Sequence, residues 1–229
     1  MAAKRARLKE HYDVRREAAP VAIWSSVALA VLAFVSRRES WELLEVSWGI
    51  WALLAIPGLL LCVDLWLGAR GPALVRSRAN ALVLLGIIVA GNVVGLVLLI
   101  AALITTPSDE IGGGQLLCTA VLIWLANLVV FGVWFWEVDC GGPFARSRTE
   151  RAKPDFQFPQ DENTELAADG WRPRVWDYLY VSLTSASAFS PTDTMPLTLK
   201  AKLLVGLEST VSLVIVVLVT ARAVNVLGS

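Results

Sequence analysis

Two carboxylates and a cluster of hydroxyls near the end of the chain are the residues best suited to chemistry. Thr184, Ser185, Ser187, Ser190, Thr192 and Thr194 surround Asp193, and Glu208 follows inside an otherwise apolar run. Hydroxyl and carboxylate oxygens are hard donors that ligate cations, and a carboxylate among them also takes up a proton. An acid placed in hydrocarbon costs a few kcal/mol, so Glu208 is expected to face protein or water. It is the best single candidate for a cation or proton site. Glu208, Ser212, Ile215, Val219 and Arg222 follow one another at helical spacing and share one face. The expected ion pathway is Thr184, Ser187, Asp193 and Glu208. A blander reading has the hydroxyls satisfying backbone in a dry environment, Asp193 capping the next helix, and Glu208 paired with Lys200, Lys202, Asn92 or Asn127.

Other chemistries are poorly supplied. The one histidine, His11, lies in a charged tail, and Cys62, Cys118 and Cys140 are scattered singly. No His-based triad, metal knuckle or haem ligation follows from such residues, so no metal and no cofactor are expected. Glu137 and Asp139 sit close together at a helix end, but no nucleophile accompanies them. They read as solvated acids, and the chain is not expected to be an enzyme. Lys and Arg total 20, as do Asp and Glu, which leaves no basic footprint for nucleic acid.

The elements that must position Asp193 and Glu208 are membrane helices. With 56% hydrophobic and 17% charged residues, the chain falls in the multi-spanning membrane class. The spans are expected at residues 20–36, 46–67, 81–105 and 115–136, with a last one ending near residue 226. Pro57 and Gly58 are expected to kink the second, and Asp64 lies near its cytoplasmic end. Gly91, Asn92 and Gly95 form a small-xxx-small contact face in the third, where Asn92 is a candidate interhelical hydrogen-bonding group. Trp134 and Trp136 belong to an interfacial belt. The basic tail of residues 1–19 and the arginines of loop 68–80 point to the cytoplasm, and the acidic loop 106–114 to the outside. No secretory signal peptide is expected, because charged residues precede the first apolar run and no small-residue cleavage site follows it.

After the fourth span comes a polar stretch, residues 138–174. Gly141, Gly142 and Pro143 mark a turn, and Arg146, Arg148, Arg151 and Lys153 favour the cytoplasm. Phe156, Phe158 and Trp171 among prolines make it an ordered cap on the helix ends. The apolar segment from Asp177 to Phe189 is too short to cross as a helix, but it suits a half-helix that enters, turns at Ser190-Pro191-Thr192-Asp193 and leaves. A tilted crossing is the alternative. The expected fold is therefore all-α, with about five full transmembrane helices plus one re-entrant half-helix. It divides into 1–137 (tail and four-helix bundle), 138–174 (cap) and 175–229 (half-helix, turn and last helix).

The runs Trp136 to Pro143, Asp155 to Gln160, Asp177 to Thr194 and Ala221 to Asn225 resemble a family of functionally uncharacterised bacterial integral membrane proteins. Residues 175–226 are also similar to the pore-loop and inner-helix unit of tetrameric cation channels. That second resemblance implies a homo-oligomer around a pore, although the loop would present from the cytoplasmic face. A potassium-selective filter is not expected. Laying Phe189 on the filter tyrosine puts Ala188 and Ser190 where glycines supply left-handed backbone, and Pro191 removes an N–H. The combined expectation is a channel-like protein of a bacterial inner membrane, N-terminus cytoplasmic, that passes monovalent cations or protons. Its alternative is a non-conducting scaffold or sensor that binds a partner through residues 138–174.

Overall fold

The computed structural model describes residues 78–105, 113–146, 153–188 and 193–227, together with Val27, Val31 and Phe34, which are helical and exposed. All of the basic tail and of the second expected span, and most of the first, lie outside the described residues, as do the Pro57-Gly58 kink, Asp64, the side chain of Asn92 and the turn at Ser190-Pro191-Thr192. The described chain is mostly helical. It runs α1 (Arg78–Thr105), α2 (Gly113–Val138), a 3-10 turn (Asp139–Gly141), α3 (Pro143–Arg146), β1 (Phe156–Gln157), α4 (Pro159–Glu162), α5 (Val175–Ala188), β2 (Met195–Pro196) and α6 (Leu199–Leu227).

Local chemistry fixes the helix ends. At the end of α2 the chain reverses through Cys140 at φ 52°, Gly141 at 80° and Gly142 at 103°. The expected glycine turn is there, and its left-handed backbone begins one residue earlier, at a cysteine. The start of α5 is closed reciprocally: Arg174 N–H donates to Asp177 Oδ2 at 2.6 Å and Asp177 N–H to the Arg174 carbonyl at 3.0 Å. Thr198 caps α6, its Oγ1 accepting from Ala201 N–H at 3.4 Å. Asp193 lies too early to cap that helix, because residues 195–196 pair with β1 before it begins.

Helix α2 is the axle. Helices α1, α5 and α6 all pack on it, and α5 also packs on α6. Because β2 pairs antiparallel with β1, with Phe156 opposite Pro196, and Phe156 packs edge-on against Tyr178, α5 and α6 both begin at the capped end of α2. They run the same way: Ser182 meets Glu208, and Ser185, one turn further along α5, accepts at its carbonyl from Ser209 Oγ, the residue after Glu208, at 3.3 Å. With 14 residues, α5 is about 21 Å long, short of the roughly 30 Å hydrocarbon thickness. The chain beyond it returns to the cap to form β2. Among the described residues, two stretches are long and apolar enough to cross a membrane, Ala120–Gly141 and Leu199–Leu218.

Side chains sort in an uncommon way. On α6 the buried face holds Ala201, Val205, Glu208, Val211, Ser212 and Ile215, while Leu199, Leu203, Leu207, Leu213 and Val217 are exposed. Polar groups lie inside and leucines outside. On α1, Gly91 and Gly95 are buried, as a contact face requires. A close helix approach lies at Gly132 of α2, where an added Cβ would lie 2.7 Å from Leu179 Cδ2 and 3.1 Å from Leu179 Cα. Gly132→Val is expected to push α5 off α2 and to destabilise the protein by about 1–3 kcal/mol, read as a lower thermal midpoint in detergent. An unchanged midpoint would contradict that close approach.

Candidate functional site

Two polar clusters organise the interface of α2, α5 and α6. The first lies within the bundle. Glu208 is nine residues into α6, about 14 Å from its start at 1.5 Å per residue, and is fully buried. Its Oε1 contacts Ser182 Oγ, which also donates to the Leu128 carbonyl at 2.7 Å. A hydroxyl has one hydrogen and cannot serve two acceptors at once. Its hydrogen therefore goes to Leu128 or to Glu208, one at a time. Beside it, Asn127 Nδ2 donates to Ser212 Oγ at 3.2 Å. Ser182, Ser185, Asn127 and Ser212 are all buried with Glu208.

The expected pathway residues do not converge. Thr184 Oγ1 donates to the Val181 carbonyl of its own helix at 2.9 Å, Ser187 is exposed, and Asp193 is exposed ahead of β2. Of the four, only Glu208 is in the buried cluster. Among the described residues, Lys200 pairs with Asp155 at 2.9 Å and Asn127 with Ser212, and the group that Glu208 meets is Ser182, which was not among the partners expected from sequence. Ser182 and Ser185 continue the buried stripe of Val175, Tyr178 and Val181 at helical spacing, and that phase was the available signal.

The second cluster is the cap. Asp139 Oδ1 accepts from the backbone N–H of Asp155 at 2.7 Å and of Phe156 at 3.1 Å, and Oδ2 accepts from Tyr178 Oη at 2.5 Å. Arg146 donates to the carbonyls of Trp136 at 2.7 Å and Asp139 at 2.8 Å, and its guanidinium lies 5.1 Å from the Tyr178 ring centre. Glu137 and Asp139 are buried, which corrects their reading as solvated acids: residues 155–156 fold back over the helix end and shut out water. Arg146 is buried as well, so it serves as a structural member of the cap besides marking charge. Asp155 passes the linkage to α6, accepting from Thr198 Oγ1 at 2.6 Å. A groove of about 380 Å³ opens beside the knot between Asp139, Phe156, Asp161 and Leu197. Among the described residues no group of His, Cys, Asp and Glu is placed to hold a metal ion.

No protein-family model, curated protein or solved structure matches the chain. Asp139→Ala is expected to strand two backbone N–H groups, the Tyr178 hydroxyl and the Arg146 charge, a loss of about 3–5 kcal/mol. Limited proteolysis is then expected to cut within residues 153–174 faster in the variant than in the wild-type protein. Equal resistance of both proteins would show that Asp139 does not hold the cap.

Proposed function

We propose that this is an oligomeric, channel-like protein of a bacterial inner membrane that passes protons, with Glu208 as the proton-binding group. In this reading the chain has five full spans, a cytoplasmic N-terminus and α5 as a re-entrant half-helix dipping in from the cytoplasmic cap. The observation that carries it is the fully buried Glu208 carboxyl, about a third of the way along an apolar helix and joined to the Ser182 hydroxyl. A buried acid without a cation beside it is costly, several kcal/mol when ionised, and a proton removes that cost. The outward leucines and inward polar groups of α6 support a lipid surroundings. The return of the chain from α5 to β2 supports the half-helix over a tilted crossing.

Protons are favoured over metal cations because Thr184, Ser187 and Asp193 stand apart from Glu208, while Ser182 offers it a hydrogen-bonding partner. Glu208→Gln keeps the shape and the contact with Ser182 but cannot release a proton at neutral pH. In liposomes under separate H⁺, K⁺ and Na⁺ gradients, the wild-type protein is expected to pass H⁺, and Glu208→Gln to abolish that flux while keeping its thermal midpoint. Unchanged proton flux in the variant would remove Glu208 from the mechanism. Absence of flux under every gradient would favour the scaffold reading, in which the groove beside Asp139 and Phe156 becomes the partner surface.

A further inference from the structure

Three buried oxygens near Glu208 make no hydrogen bond among the described residues: Glu208 Oε2, Asn127 Oδ1 and Ser185 Oγ. They come from α6, α2 and α5 respectively. Hydrogen bonds bring their residues to neighbouring levels of the bundle, since Asn127 is bonded to Ser212, one turn beyond Glu208, and Ser209, next to Glu208, is bonded to the Ser185 carbonyl. A buried polar group without its hydrogen bond is destabilising, so three at neighbouring levels call for a partner. Their chemistry is complementary to a single molecule. Glu208 Oε2 and Asn127 Oδ1 accept, and the Ser185 hydroxyl donates.

We infer that Glu208 Oε2, Asn127 Oδ1 and Ser185 Oγ form an internal binding site for one water molecule. The water donates to the carboxyl and amide oxygens and accepts from Ser185, which is the usual complement of about three hydrogen bonds for a buried water. On its other side Glu208 Oε1 faces the Ser182 hydroxyl. The water is thus the hydrogen-bonding partner of Oε2, on the side of the carboxyl away from Ser182. The site rests only on the three oxygens; a part for it in conduction rests on the proton reading above.

An experimental structure of the wild-type protein, at a resolution that shows ordered solvent, tests the site directly. A solvent peak within hydrogen-bond distance of all three oxygens is the expected result. Continuous packing with no peak, or a peak at the shorter distances of a bound Na⁺, would overturn it. Ser185→Val, which fills the site, is expected to lose the peak and to abolish proton flux while Glu208 and the fold are retained. A peak present beside Glu208→Gln flux equal to wild type would leave the water site standing and sink the conduction reading. Flux abolished by Glu208→Gln but untouched by Ser185→Val, with no peak, would do the reverse.

Discussion

The Asp139 carboxylate is the constraint on which the remainder of the structure depends. One side chain at the end of α2 holds the backbone of Asp155 and Phe156 and the phenol of Tyr178, so it ties together the end of α2, the cap and the start of α5. Asp155 then fixes Thr198 and Lys200 at the start of α6. Two helices consequently leave one knot in the same direction and lie side by side against α2. Without that shared origin, a 14-residue helix would have no reason to stop and return. The aromatic chain from Phe135 through Phe156 and Tyr178 to Phe158 and Trp171 packs around the knot and excludes water from it.

Parallel α5 and α6 in turn create the polar layer. Gly132 lets α5 come close to α2, which brings Ser182 within reach of both the Leu128 carbonyl and Glu208. An acid at this depth is tolerable because three helices supply small hydroxyls and an amide around it, and every one of those groups is withdrawn from the outer surface. The cap and the layer are thereby linked: displacing α5 at Tyr178 also displaces Ser182, one turn along the same helix.

Much of this was legible beforehand. The apolar runs match α1 and α2 to within a few residues and the end of α6, the Gly141-Gly142-Pro143 turn was visible in its residue types, and the helical phase of Glu208, Ser212 and Ile215 marked one buried face. The partner of Glu208 was not legible, because spacing reveals which residues share a helix face and not which helices meet there. Thr184 and Ser187 attracted notice as hydroxyls, yet Ser182 and Ser185 are the ones in phase with Tyr178. Asp139 was misjudged for a similar reason. An acid just past an interfacial tryptophan ordinarily meets water, and only the long-range return of residues 155–156 buries it.

The shared origin of α5 and α6 is tested most directly by side-specific labelling. Single cysteines at Arg172 and Leu197, in a background without the native cysteines, flank the half-helix and its return. In oriented vesicles, an impermeant thiol reagent is expected to reach both positions from one face only, the cytoplasmic one. Labelling of the two positions from opposite faces would mean that residues 175–189 cross the bilayer, and it would contradict the cap-anchored, re-entrant arrangement.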